Sequence, residues 1–116
     1  MSMPDGLGGL RLSPKHRAAA QQLLAWLPTV CAPVGVVFAG SIVAGTAGPS
    51  SDLDVVVLHD AHWRQRIQRR FADTPAEIFV NSEQWLRFSM QEGATNAAPV
   101  MAHMMATGTV VMDRAA

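Results

Sequence analysis

Two aspartates, Asp52 and Asp54, stand either side of Leu53 in the run Ser51-Asp52-Leu53-Asp54-Val55-Val56-Val57-Leu58. A β-branched run of this kind reads as a strand, and its period of two sets both carboxylates on one face and Leu53, Val55 and Val57 on the other. Carboxylates so spaced lie about 6 to 7 Å apart along the strand and point the same way, so one cation can sit between them. They repel each other when unpaired, and a bound Mg²⁺ relieves that repulsion while holding substrate phosphate oxygens. A half-exposed strand can also carry two solvated acids, so the pair gains its meaning from its surroundings.

Eleven residues before Asp52 stands Ser41, preceded by Gly40. Pro33 opens an apolar run of Val34, Val36, Val37 and Phe38 that reads as a buried strand ending at Gly40. Glycine there permits close backbone approach, and Ser41 adds a hydroxyl at the start of a short small-residue helix ended by Ala47-Gly48-Pro49.

The elements that must position these groups are legible around them. Ser13 caps a helix that starts with Pro14, and Ala19, Leu23, Leu24, Trp26 and Leu27 continue it at helical spacing, predicting a helix over 14–27 stopped near Pro28. The stretch WRQRIQRRF over 63–71 fits both helical and alternating patterns, and strand is the favoured reading. As a strand it puts Trp63, Ile67 and Phe71 opposite Arg64, Arg66 and Arg70. The turn Ala72-Asp73-Thr74-Pro75 then joins it to Ala76-Glu77-Ile78-Phe79-Val80 as an antiparallel hairpin, with Glu77 and Phe79 on one face. A helix over 82–90 with Ser82 as cap, a loop over 92–99, a Met-rich helix over 100–106 ended by Gly108, and a short strand over 109–112 complete the pattern. The fold class expected is α/β (α+β), a mixed sheet with flanking helices, in one domain over 13–116 behind a flexible segment 1–12.

The chain has 116 residues, 49% of them hydrophobic, which suits one small domain. Nine basic residues balance nine acidic ones, so a nucleic-acid acceptor is disfavoured and phosphate recognition must be local, although Arg64, Arg66, Arg69 and Arg70 form a basic cluster. Arg64, Arg66 and Arg70 suit either a triphosphate or an anionic acceptor; the competing reading is an edge strand displaying charge against pairing with other chains. The lone Cys31 reads as a small buried hydrophobe, and Cys and His show no zinc-ligand spacing. His59 and His62 read as surface residues of a turn, His103 as a packed helix residue, and Met101, Met104 and Met105 as gap-filling core. Neither a signal peptide nor an apolar run of about 18 residues is present, so a soluble cytoplasmic protein without membrane association is expected.

Gly40-Ser41, Gly45-Thr46 and Ser51-Asp52-Leu53-Asp54-Val55-Val56-Val57 together resemble the signature of the DNA polymerase beta-type nucleotidyltransferase superfamily, and most closely the bacterial minimal and aminoglycoside nucleotidyltransferases. Pro75-Ala76-Glu77-Ile78-Phe79-Val80 and Met104-Met105-Ala106-Thr107-Gly108 resemble later segments of that group. The resemblance implies Mg²⁺-dependent transfer of a nucleoside monophosphate from a nucleoside triphosphate to a hydroxyl on a small molecule or a protein. It implies that Asp52 and Asp54 are catalytic and hold metal, that Glu77 is the third metal-binding and catalytic carboxylate, and that Gly40 and Ser41 bind the triphosphate; Ser51 and Arg66 are further candidates for binding the nucleotide. Glutamate at the third position, where aspartate is more usual, adds a methylene and makes acceptor activation the less secure part. The alternative is a non-catalytic or partner-dependent, antitoxin-like module that works with a helical partner protein or a second copy.

Overall fold

The computed structural model describes residues 7, 10–45, 48, 50–82, 84 and 107–113. The first helix, α1, runs Pro14–Trp26 and is capped by Ser13, whose side chain accepts the His16 N–H. Its buried residues His16, Ala19, Ala20 and Leu23 recur at helical spacing and face the sheet. The chain does not stop at Pro28 but tightens into a 3₁₀ turn, Leu27–Thr29, because proline in the first turn lacks no N–H that the turn needs.

Strand β1 (Pro33–Ala39), the short helix α2 (Ser41–Ala44) and strands β2 (Leu53–His59), β3 (Gln65–Phe71), β4 (Thr74–Ser82) and β5 (Thr109–Asp113) follow. They form one sheet in the order β3-β4-β2-β1-β5. β1 pairs antiparallel with β2 and β5, β3 pairs antiparallel with β4, and β2 pairs parallel with β4. The stretch 63–71, open between helix and strand in the sequence, is thus an edge strand. Its hairpin is tighter than the expected four-residue turn: Phe71 pairs with Thr74, and Ala72 and Asp73 both take positive φ, the two-residue loop that matches strand twist.

Alternation along the strands builds the core. Leu53, Val55, Val57, Ala76, Ile78 and Val80 are buried on the α1 side with Val36, Phe38 and Val111. Leu7 and Leu10, within the segment expected to be flexible, join that core, and the Arg17 guanidinium donates to the Leu10 carbonyl at 3.0 Å. His59 corrects a surface expectation. It closes β2 in the buried layer, its Nε2 bonds the Trp63 carbonyl at 2.8 Å, and Trp63 stands edge-on to its ring; the imidazole satisfies its polar edge locally and packs like an aromatic. His62 is exposed. Cys31 is half-buried beside the core, and burial pushes its thiol pKa up. The helices expected over 82–90 and 100–106, the loop 92–99, His103 and Met101, Met104 and Met105 lie outside the described residues. Among the described residues, no helix is long and apolar enough to cross a membrane.

Candidate active site

Pairing of three strands decides where the acids stand. Asp54 on β2 lies opposite Glu77 on β4 in the parallel ladder, and opposite Ala39 in the antiparallel ladder with β1. The strand that carries Asp54 therefore has the third carboxylate on one side and the exit of β1, with Gly40, on the other. Asp54 and Glu77 are half-buried on the face away from α1. Asp52 is exposed and precedes the first residue of β2, so only Asp54 of the two expected strand aspartates is inside the ladder, and Asp52 stands at the rim.

Gly40 is required where it is. Its φ of 78° lies in the left-handed region, and a Cβ there would collide with the Asp54 carboxylate. β1 thus exits directly over the acid, and Ser41 begins α2 at that point. The Gly40 carbonyl accepts from the N–H groups of Val43 and Ala44 at 3.1 Å each, and Gly45 ends the turn with φ 80°. No basic residue lies in the helix itself.

Crowding of negative charge is visible at Asp54. Burial raises its pKa first, and the neighbouring Glu77 and Asp52 carboxylates raise it further. Oxygen-only donors and crowded carboxylates suit a hard divalent cation. Glu77 is otherwise engaged: Arg66 forms an ion pair with it through Nε, and the same guanidinium lies 5.8 Å from the Phe79 ring centroid. For that reason the convergence expected of Asp52, Asp54 and Glu77 is not a ready-made cage; among the described residues no three His, Cys, Asp or Glu side chains stand as a metal-ligand cluster. Asp54 and Asp52 fit a divalent cation by donor chemistry, whereas Glu77 is held by Arg66.

Ser51 sits in the loop that delivers Asp52. Its hydroxyl accepts the Gly48 N–H at 2.8 Å, and its N–H donates to the Gly48 carbonyl at 3.1 Å. Its carbonyl bonds His16 Nε2 at 2.9 Å, while His16 Nδ1 meets the Ser13 hydroxyl at 2.9 Å. A neutral imidazole with its proton on Nε2 satisfies both contacts, donating to the carbonyl and accepting from the hydroxyl. His16 was missed by sequence reasoning. The signal was there: it falls on the apolar stripe of α1, where a buried polar ring needs partners.

With this geometry in view, comparison with known proteins gives a consistent result. A family model described as a nucleotidyltransferase domain matches residues 19–85, and the chain belongs to that family. A solved structure, that of a nucleotidyltransferase-like protein from Exiguobacterium sibiricum 255-15, shares the fold with a TM-score of 0.62 at 14% identity. The match covers 84% of this chain and 33% of that one, so this chain spans about a third of that protein's length. No curated protein matches the chain. Domains of this family use a nucleoside triphosphate and a divalent metal for nucleotidyl transfer.

Proposed function

We propose that the chain is the catalytic core of an Mg²⁺-dependent nucleotidyltransferase that moves a nucleoside monophosphate from a nucleoside triphosphate to a hydroxyl acceptor. The observation that carries this reading is the pairing of Asp54 with Glu77 under the Gly40 turn, within a nucleotidyltransferase domain. Asp52 and Asp54 would hold the cation, which when bound supplies positive charge to the triphosphate. Gly40, which lets β1 exit against Asp54, and the Ser41 hydroxyl at the start of α2 would receive the phosphates, and Ser51 holds the loop between them and Asp52. In the transfer, the acceptor oxygen bonds the α-phosphorus and the bond from that phosphorus to the bridging oxygen breaks. Pyrophosphate leaves with the bonding electrons, and Glu77, once freed from Arg66, takes the hydroxyl proton. Arg66 is then available to a phosphate oxygen.

The alternative is a partner-dependent module, in which a partner protein or a second copy holds the acceptor. Titrating Mg²⁺ and each nucleoside triphosphate into wild type and an Asp52→Asn, Asp54→Asn double variant tests the donor site. Metal-dependent nucleotide binding removed by the substitutions is the expected result, and wild type that binds no nucleotide in the presence of Mg²⁺ would overturn the reading. Transfer by the isolated chain to a small hydroxyl acceptor would rule out dependence on a partner.

A further inference from the structure

Glu77 has two neighbours of opposite consequence. In the parallel ladder it stands beside Asp54, and from the edge strand β3 the Arg66 guanidinium reaches it through Nε. Register explains that reach. Gln68 is the residue directly opposite Glu77, and Arg66 lies opposite Phe79. Arg66, Gln68, Glu77 and Phe79 alternate with Ile67, Ala76 and Ile78, which pack on the α1 side, so all four share the face that carries Asp54. The guanidinium crosses diagonally to the carboxylate, with its Cζ 5.8 Å from the Phe79 ring centroid.

Such a pair opens readily. The Arg66 side chain is 59% exposed, and an ion pair so open to water adds little to stability. A guanidinium also carries more N–H donors than one carboxylate uses, in a planar fork that suits phosphate oxygens. A divalent cation on the Glu77 carboxylate would stand next to the guanidinium charge, and like charges across one carboxylate repel. Cation and arginine therefore compete for Glu77. Neighbouring strands lie about 4.8 Å apart, so β3 is two spacings from β2 and three from β1. A phosphate on a cation held by Asp54 is within reach of an arginine from β3, whereas phosphates at the Gly40-Ser41 turn, at the exit of β1, are a strand further away.

We propose that Arg66 is a substrate-released clamp on Glu77: it competes with the cation for that carboxylate, and the α-phosphate of the donor draws it off. Glu77 is then freed only when the reacting phosphate is in place. This rests on the transferase reading above. Competition gives the arginine opposite effects on the two ligands, since its loss tightens the cation and loosens the nucleotide.

The test titrates Mn²⁺ into the full chain without nucleotide, in wild type, Arg66→Gln and an Arg66→Gln, Glu77→Gln double variant. Arg66→Gln is expected to bind Mn²⁺ about tenfold more tightly than wild type, and the double variant to fall within about twofold of wild type. Tb³⁺ luminescence lifetimes in H₂O and D₂O count the waters left on a bound ion. Removal of a nearby positive charge alone tightens a cation without displacing its water, whereas a released Glu77 replaces about one water in Arg66→Gln. With Mg²⁺ present, AMP and the α,β-methylene analogue of ATP, which cannot be cleaved at the reacting bond, should both bind Arg66→Gln about fivefold more weakly than wild type. Unchanged Mn²⁺ affinity in Arg66→Gln, a gain kept by the double variant, or a gain with no change in the water count overturns the clamp. A loss confined to the triphosphate analogue gives Arg66 to the terminal phosphates and overturns its assignment to the α-phosphate. Failure of the transferase reading shows separately, as wild type that binds neither nucleotide with Mg²⁺, while the Mn²⁺ and Tb³⁺ titrations read the competition for Glu77 by itself.

Discussion

Asp54 is held where its charge is costly. Burial first, then Glu77 and Asp52, raise its pKa, so the folded protein keeps the Asp54 proton more tightly than the unfolded chain does. Between the ordinary carboxylate value and the raised one the native state binds more protons, and stability falls as pH rises through that window. The contribution is fully present below the unfolded value and gone above the folded one. Asp54→Asn keeps the shape and removes the charge. Its expected effect is a higher melting temperature than wild type at neutral pH, with the advantage shrinking as pH is lowered into the ordinary carboxylate range. Melts of both proteins from about pH 3 to about pH 8 span that window. A variant no more stable than wild type at neutral pH would mean that the neighbours impose no cost. Stability spent in this way is what a site kept for a cation requires.

At the scale of elements, the inward residues of β2 and β4 were readable from alternation, and so was the cap of α1 by Ser13. The pairings between elements were not, because they depend on contacts far apart in sequence. Nothing local to β4 says that Glu77 will stand beside Asp54 in a parallel ladder, or that Arg66 will reach Glu77 first. Leu7 and Leu10 were hidden among glycines, and His59 by its position at a strand end. The link from His16 to the Ser51 carbonyl spans 35 residues and ties the first turn of α1 to the loop that delivers Asp52. Truncation by His16→Ala leaves that carbonyl without its donor, at a cost of about 1–3 kcal/mol in a denaturant titration. It should also weaken Mg²⁺-nucleotide binding, because Asp52 loses its anchor, and His16→Gln, which keeps an N–H donor, should restore part of that affinity. A purely structural role predicts lower stability with unchanged affinity in the folded fraction, and that outcome would remove His16 from the site.

Over the whole molecule, the sheet separates two tasks. Its α1 side holds the core that stabilises the domain, while Asp54 and Glu77 hold negative charge on the other side of the same strands. A cation that binds only the folded arrangement must therefore stabilise the entire domain, by an amount set by its concentration over its dissociation constant. At one hundred times that constant the gain is about 2.7 kcal/mol, roughly several degrees in melting temperature for a domain of this size. The cation competes with the proton on Asp54, so the gain should grow as pH rises through the raised carboxylate range, opposite in sign to the stability change of the metal-free protein. Scanning calorimetry with and without Mg²⁺ across that range, in wild type and Asp54→Asn, reads both trends at once. An Mg²⁺ shift of equal size in the two proteins would place the cation somewhere other than this pair of strands.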